Sequence, residues 1–127
     1  MKPVLVLALA AAALAAACSR GAANAPPSPE AIGRAAELTP ADPRLAGLYQ
    51  NACHACHGQP GSGAPLAGDR AAWDPRWAKG LPALTANVVS GYRGMPAGGQ
   101  CFACTPDDYR ALIRFMAGRE APAAPHS

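Results

Sequence analysis

The chain has few charged and few aromatic residues, and neither kind is concentrated in one place. Charged residues make up 15% of the 127 residues, aromatic residues make up 6%, and the formal net charge is +3. No lysine or arginine run is present, so the basic footprint typical of nucleic-acid-binding proteins is missing. No segment has a convincing strand pattern either, and the sequence therefore predicts an all-α fold.

The apolar run near the N-terminus is too short to span a membrane comfortably. It extends from Val4 to Ala17, which is 14 residues, whereas a spanning helix needs about 20. It follows the basic Lys2 and ends in small residues, as an export signal does. We therefore expect residues 1–17 to be an export signal and the protein to be periplasmic.

Cys18 follows this run directly and resembles the lipidated cysteine of a bacterial lipoprotein signal. Such signals usually carry leucine three positions earlier, where this chain has Ala15. Cleavage after Ala17 by an ordinary signal peptidase is the alternative. The other four cysteines fall into two pairs, and an odd cysteine in an exported protein requires an explanation. We expect a lipid anchor at Cys18 that holds the protein at the membrane surface.

Segments rich in alanine and proline flank a central domain. Residues 18–41 are expected to be a mostly extended tether, with a short helix possible over Glu30–Leu38. Residues 120–127 are expected to be a disordered tail. The domain proper is residues 42–119, and a chain of this size usually needs a staple or a cofactor to complete its core.

Two segments of the domain have the apolar spacing of amphipathic helices. One begins with Asp42 as its cap and stops at Gly58, and the other begins at Thr105 and closes at Gly118. Their apolar stripes are Leu45, Leu48, Tyr49 and Ala52 in the first, and Tyr109, Leu112, Ile113 and Met116 in the second. Weaker patterns predict a helix over Leu81–Ser90 and a helical turn over Pro75–Lys79. The expected fold has three to four helices with long loops.

The first helix ends in Cys53-His54-Ala55-Cys56-His57, which has the Cys-x-x-Cys-His spacing of covalent haem attachment. The two-residue spacer presents both thiols to one edge of the ring, where they can add to its two vinyl groups. His57 then reaches the iron from the same side. The simpler alternatives are a redox-active cysteine pair, or part of a zinc site, followed by a histidine through chance.

A second cysteine pair, Cys101 and Cys104, is followed by Thr105 rather than by histidine. It is therefore not a second haem site. In an exported protein the expected state of this pair is a disulfide. A dithiol that exchanges electrons is the alternative.

The chain resembles the small class I c-type cytochromes, most closely the cytochrome c-five type, over about Gly47 to Gly118. The resemblance rests on an ordered series: Tyr49, the motif from Cys53 to His57, Ala64-Pro65, Gly68-Asp69, Trp73, Pro75-Arg76, Gly80, Gly94-Met95-Pro96, Gly99, the segment Cys101–Cys104, and Ile113-Arg114-Phe115-Met116. It implies one haem c, redox-protein partners, and one-electron transfer rather than enzymatic activity. It also implies that the backbone carbonyl of Pro65 accepts a hydrogen bond from His57.

Met95 is the expected sixth iron ligand, opposite His57. It lies 38 positions beyond that histidine, which is enough chain to reach the other haem face. A neutral thioether favours Fe(II) and raises the reduction potential. Met116 lies on a helix stripe and is expected in the core. The alternative function is a haem sensor or a peroxidase-like enzyme subunit with a displaceable sixth ligand; a four-cysteine zinc module is a further rival.

The chain departs from this family where the first and last helices cross. The family usually has glycine eight residues before the first haem cysteine, whereas this chain has Leu45 there and Gly47 two residues later. The departure predicts a shifted or wider helix crossing. Trp73 and Trp77 are expected to pack on the haem or cap a propionate. Arg70, Arg76 and Arg93 could neutralise propionates, although for each a solvated surface position is the better prediction.

Overall fold

The computed structural model describes residues 25–120, and nearly all of their regular structure is helical. In chain order the α-helices are α1 (Pro29–Glu37), α2 (Pro43–Leu48), α3 (His54–His57), α4 (Arg70–Trp77), α5 (Leu81–Ser90) and α6 (Pro106–Met116). Within this part of the chain the β-structure is a single bridge between Tyr92 and Met95. The predicted all-α fold with long loops is confirmed.

The first predicted helix is present, although it is not a uniform α-helix. The carboxylate of Asp42 accepts a hydrogen bond from the Leu45 N–H at 2.9 Å, and Pro43 occupies the first helical turn. A π-helical turn, Tyr49–Cys53, joins α2 to α3. Such wider turns are frequent at functional sites, and this one leads into the Cys-x-x-Cys-His motif and includes its first cysteine.

The last helix begins as the sequence predicts. The Thr105 hydroxyl accepts a hydrogen bond from the Asp108 N–H, and the Asp108 carboxylate accepts one from the Thr105 N–H at 2.8 Å. This reciprocal pair satisfies two backbone donors that a helix start leaves free. The buried face of α6 contributes Leu112, Phe115 and Met116 to the core.

The core lies where the first and last helices meet. Tyr49 and Leu112 are its largest fully buried side chains, and the Tyr49 ring packs edge-on against Phe115 with ring centroids 4.9 Å apart. Leu45 packs against this cluster, whereas a Cβ atom on Gly47 would have no neighbour within 4 Å. Gly47 therefore does not replace the missing crossing glycine, and the helices meet through large side chains.

Part of the segment expected as an extended tether is the helix α1. The Ser28 hydroxyl caps it, accepting a hydrogen bond from the Ala31 N–H at 3.2 Å. Its Ala31 and Ala35 are buried and Leu38 packs against the core. The short helix that the sequence allowed over Glu30–Leu38 is therefore present, shifted by one residue, and small side chains form its buried face.

The helical turn predicted over Pro75–Lys79 is instead α4, which begins five residues earlier. Pro75 lies inside this helix rather than at the start of a turn. None of the described helices is both long enough and apolar enough to cross a membrane. The predicted export signal, Cys18 and nearly all of the predicted tail lie outside the described residues.

Candidate functional site

The two cysteines of the Cys-x-x-Cys-His motif are free thiols at the end of the first helix. Cys53 is partly buried and Cys56 is exposed. Burial, and then the neighbouring Cys56, raise the pKa of the Cys53 thiol to about 11. The two thiols therefore lie about one helical turn apart, with Cys56 exposed and Cys53 held in its protonated form.

His57 is buried and has a fixed orientation. Its Nδ1 lies 2.8 Å from the carbonyl oxygen of Pro65, as the resemblance implied, and the side chain is 6% exposed. Because a carbonyl only accepts, Nδ1 carries the proton and Nε2 keeps a free lone pair. Burial is the main cause that lowers the pKa of His57, and the charge of Arg76 lowers it further. The imidazole is therefore neutral, which is the form that binds a metal ion.

The loop that supplies the Pro65 carbonyl is itself anchored. The Ala67 N–H donates to the His57 carbonyl at 2.7 Å, and the Trp73 indole N–H donates to the Leu66 carbonyl at 2.8 Å. The ring of Trp73 is buried and lies 6.0 Å from the His57 ring, measured between centroids. Trp73 thus fixes the loop and packs beside the histidine, and the orientation of His57 does not depend on one hydrogen bond alone.

The two methionines of the described residues have different surroundings. Met116 is 3% exposed and belongs to the core cluster. Met95 is partly buried in a loop, where its N–H and carbonyl form a pair of hydrogen bonds with Tyr92 at 2.9 and 3.0 Å. Met116 is therefore committed to packing, and Met95 is the methionine that remains available as a ligand.

Cys101 and Cys104 are joined by a disulfide with Cα atoms 5.4 Å apart. The bond closes the short segment between the Met95 loop and α6. The Cys101 side of this segment is buried, whereas Phe102 between the two cysteines is fully exposed. The disulfide therefore fixes the end of the loop that carries Met95.

The arginines singled out from the sequence have protein partners. Arg70 donates to Asp74 at 3.1 Å, Arg76 donates to the Ala72 carbonyl, and the Arg93 guanidinium lies over the Tyr92 ring at 5.3 Å. Trp77 is partly buried, with the Arg119 guanidinium 5.8 Å from its ring centroid. Among these arginines, Arg76 is the one whose charge lowers the pKa of His57.

Sequence reasoning missed two contacts of α6. Arg44 donates two hydrogen bonds to the carboxylate of Asp108, and the Tyr109 hydroxyl bonds to the loop that follows Met95. A signal for the first was present, because Asp108 belongs to a capping box and Arg44 lies in the first turn of a facing helix. Tyr109 lies on the apolar stripe of the predicted helix, so the sequence pattern indicated packing and gave no sign of a hydrogen bond from its hydroxyl.

The donor set fits a c-type haem. Two free thiols with a two-residue spacer, followed by a neutral imidazole whose Nε2 lone pair is free, provide the two attachment points and one axial ligand that this cofactor needs. A zinc site is not supported, because no cluster of three or more potential metal ligands occurs among residues 25–120.

Comparison with known proteins gives consistent matches over the domain. Residues 40–116 match the family model described as cytochrome c oxidase, cbb3-type, subunit III. The chain is 46% identical to cytochrome c5 of Azotobacter vinelandii over 68 residues, covering 52% of this chain and 82% of that protein. It is 37% identical to cytochrome c-555 of Chlorobaculum thiosulfatiphilum over 75 residues, covering 56% and 87%.

A solved structure shows the same fold. A chain from the crystal structure of an electron transfer complex of nitrite reductase with cytochrome c superposes with a TM-score of 0.55 at 37% identity, covering 61% of this chain and 95% of that chain. The family match begins after α1, so this helix lies outside it. The resemblance read from the sequence is confirmed, and the chain belongs to the class I c-type cytochromes, a family of haem-containing electron-transfer proteins.

Proposed function

We propose that this protein binds one haem c covalently through Cys53 and Cys56, holds its iron with His57 and Met95, and passes single electrons between periplasmic redox proteins. The observation that carries the proposal is the 2.8 Å contact from His57 Nδ1 to the Pro65 carbonyl. It leaves the Nε2 lone pair free on a neutral, buried ring beside two free thiols. A redox-active cysteine pair would not need this histidine geometry.

The chain's residues would bind and orient the cofactor. When bound, the haem iron supplies the one-electron couple between Fe(III) and Fe(II). His57 is held by Pro65 and packed beside Trp73, so its ring has little freedom to move between the two oxidation states. When the ligands of a redox centre move little between oxidation states, the reorganisation energy of electron transfer is small. Rigid ligands therefore suit a carrier better than a catalyst that must admit a substrate.

Met95 is proposed as the sixth ligand because it is the described methionine outside the core, and because its loop is fastened at both ends. The Tyr92 hydrogen bonds fix the side before it, and the disulfide from Cys101 to Cys104 fixes the side after it. A soft sulfur in this position raises the reduction potential. It would also fill the coordination position that a sensor or a peroxidase needs open.

Redox-protein partners are supported by a structural neighbour and by the exposed surface. The neighbour is a cytochrome c in an electron transfer complex with nitrite reductase. In residues 25–120, the exposed large hydrophobic side chains are Val89, Tyr92 and Phe102, all in the segment around Met95. Because contiguous exposed apolar patches mark protein–protein interaction sites, we propose that these side chains contribute to a surface that contacts partners.

Export and membrane anchoring are also part of the proposal. They rest on the signal-like residues 1–17 and on Cys18, which the sequence alone supports. The helix α1 begins at Pro29, so ten residues separate it from Cys18. Fully extended, ten residues span at most about 35 Å. A lipidated Cys18 would therefore keep the domain close to the membrane surface.

A redox titration of the purified haem-loaded protein, combined with carbon monoxide binding, tests the proposed function. A carrier should titrate as one reversible one-electron couple, and its reduced form should bind carbon monoxide poorly because Met95 occupies the sixth position. Two or more electrons per chain would exclude a single haem. Avid carbon monoxide binding by the unmutated protein would instead favour the sensor or enzyme alternative.

A further inference from the structure

The turn that follows Met95 has little regular structure of its own to hold it. Ala97–Gln100 forms one short 3₁₀ turn in which Gly98 and Gly99 have positive φ angles of 69° and 56°. Hydrogen bonds run from the Gly99 N–H to the Pro96 carbonyl and from the Cys101 N–H to the Gly98 carbonyl, at 2.9 and 3.0 Å. Because glycine has more backbone freedom than any other residue, a turn with two glycines benefits from an external contact that keeps it in one conformation.

The Tyr109 hydroxyl supplies such a contact. Its oxygen lies 3.1 Å from the carbonyl oxygen of Gly98 and 3.1 Å from that of Cys101. Because both partners are carbonyls and the phenol has one proton, the hydroxyl donates a bond shared between two acceptors. One side chain on α6 is therefore hydrogen-bonded to the middle of the turn, at Gly98, and to the residue that follows it, Cys101.

The same turn bears directly on the Met95 side chain. A Cβ atom on Gly99 would lie 3.0 Å from the terminal methyl carbon of Met95, and one on Gly98 would lie 3.2 Å from the Tyr109 oxygen. The Met95 methyl group thus rests on the backbone of Gly99, next to the residue that Tyr109 binds. A displacement of the turn would displace the thioether with it.

Tyr109 is itself well fixed, which makes it suitable for this role. It follows directly after Asp108, whose carboxylate accepts bonds from Thr105 and Arg44. These contacts hold the start of α6 against α2. The phenol therefore projects from a part of α6 that is anchored by side-chain contacts.

We propose that the Tyr109 hydroxyl is a positioning group for Met95: by holding the turn on which the Met95 methyl group rests, it determines how firmly the thioether stays on the iron. This inference rests on the proposed function, since it requires Met95 to be an iron ligand. Tyr109 acts on Met95 through the turn, by its hydrogen bonds to the Gly98 and Cys101 carbonyls and through Gly99. Removing the hydroxyl should make the sixth ligand easier to displace.

The test is imidazole binding to the oxidised, haem-loaded full chain, followed through the sulfur-to-iron charge-transfer band. Tyr109→Phe keeps the ring and removes one shared hydrogen bond, so imidazole should bind about 2- to 10-fold more tightly than to wild type, the range expected for one hydrogen bond. Tyr92→Phe is the matched control. It makes the same change in the same loop, but its side chain is exposed and it bonds to Met95 through its backbone. It should leave the affinity unchanged.

A second control separates positioning from general stability. Leu112→Val alters a buried core residue of the same helix and should lower the urea midpoint without changing imidazole affinity. If Tyr109→Phe binds imidazole no more tightly than Tyr92→Phe, the positioning role is overturned while Met95 remains the ligand. If the charge-transfer band is absent from wild type, or survives in Met95→Ala, the ligand assignment fails and the inference fails with it.

Discussion

The guanidinium of Arg44 and the carboxylate of Asp108, 64 positions apart in sequence, join the first turns of α2 and α6. One of the two hydrogen bonds measures 2.9 Å, and the Asp108 side chain is 8% exposed, whereas the Arg44 side chain is 59% exposed. Asp108 also accepts bonds from Thr105. A single carboxylate therefore caps α6 and attaches it to α2, the helix that leads to the haem motif.

This contact predicts a specific dependence of stability on pH. The bonds from Arg44, and then the Thr105 N–H, hold the pKa of Asp108 well below its usual range. A carboxylate whose pKa is lower in the folded state stabilises that state above its unfolded pKa of about 3.9, and this contribution is lost as the pH falls toward the folded pKa. Urea unfolding should show Asp108→Asn less stable than wild type at pH 7, with the difference shrinking below about pH 4.

Asp107→Asn is the control for that experiment. Asp107 is adjacent on the same helix turn, but its side chain is 93% exposed, and it pairs with Arg110 on the surface. Its loss should have little effect at either pH, because exposed ion pairs contribute little to stability. An equal loss in both variants at pH 7 would show that general charge on the first turn, not the contact with Arg44, is responsible.

Gly91 should tolerate no side chain, because its backbone and its surroundings both exclude one. It has φ of 82°, and a Cβ atom would lie 3.0 Å from the Ala97 nitrogen and 3.1 Å from the Met95 oxygen. Gly91→Ala should lower the free energy of unfolding by about 1–3 kcal/mol and weaken the charge-transfer band. Chemical unfolding and the oxidised spectrum measure the two effects.

Gly47→Ala provides the opposite case in the same protein. Gly47 lies in α2 with no neighbour within 4 Å of a Cβ atom, so alanine should be accommodated and stabilise the helix by roughly 0.5–1 kcal/mol. A loss of stability in Gly47→Ala would show that this glycine does take part in the helix crossing. Gly91→Ala unfolding like wild type would mean that the Met95 loop adapts more freely than its contacts indicate.

The sequence predicted the parts of this molecule that local chemistry decides. The caps at Asp42 and Thr105 depend on residues adjacent in the chain, and the haem motif lies within five consecutive residues, so each could be predicted without a structure. The packing of α1 through Ala31 and Ala35 depends on which surface lies opposite, and that surface is distant in sequence.

The contacts of Arg44 and Tyr109 were missed for a related reason. In the sequence, Arg44 has the pattern of an ordinary surface residue, and Tyr109 that of an aromatic residue on the apolar face of a helix. Their partners, Asp108 and the carbonyls of Gly98 and Cys101, become visible only when the chain has folded back on itself. Backbone carbonyls in particular have no sequence signature.

Met95 and Met116 form a pair whose substitutions should have opposite consequences. Met95→Ala should remove the charge-transfer band, lower the reduction potential and allow carbon monoxide to bind the reduced protein, because the sixth position loses its sulfur. Met116→Ala should keep the band and lose about 2–5 kcal/mol of stability, the usual cost of a cavity at a buried methionine. Loss of the band in Met116→Ala would mean that the ligand is misassigned.

The proposed lipid anchor at Cys18 is tested by removing its thiol. Cys18→Ser should move the protein from the membrane fraction to the soluble periplasmic fraction and leave the haem spectrum unchanged, because the domain begins well after this residue. Intact-mass measurement of the wild-type protein should show the added diacylglycerol. A mature chain without that mass, soluble in both forms, would favour cleavage by an ordinary signal peptidase.

Acid–acetone extraction of the wild-type protein, followed by a pyridine haemochrome assay of the pellet and the supernatant, shows whether haem is covalently attached to this chain. A haem bound through thioethers to Cys53 and Cys56 should stay with the polypeptide, in a ratio of one per chain, and Cys53→Ala combined with Cys56→Ala should abolish this retention. Haem that passes into the acetone from the unmutated protein would contradict covalent attachment and the account built on it.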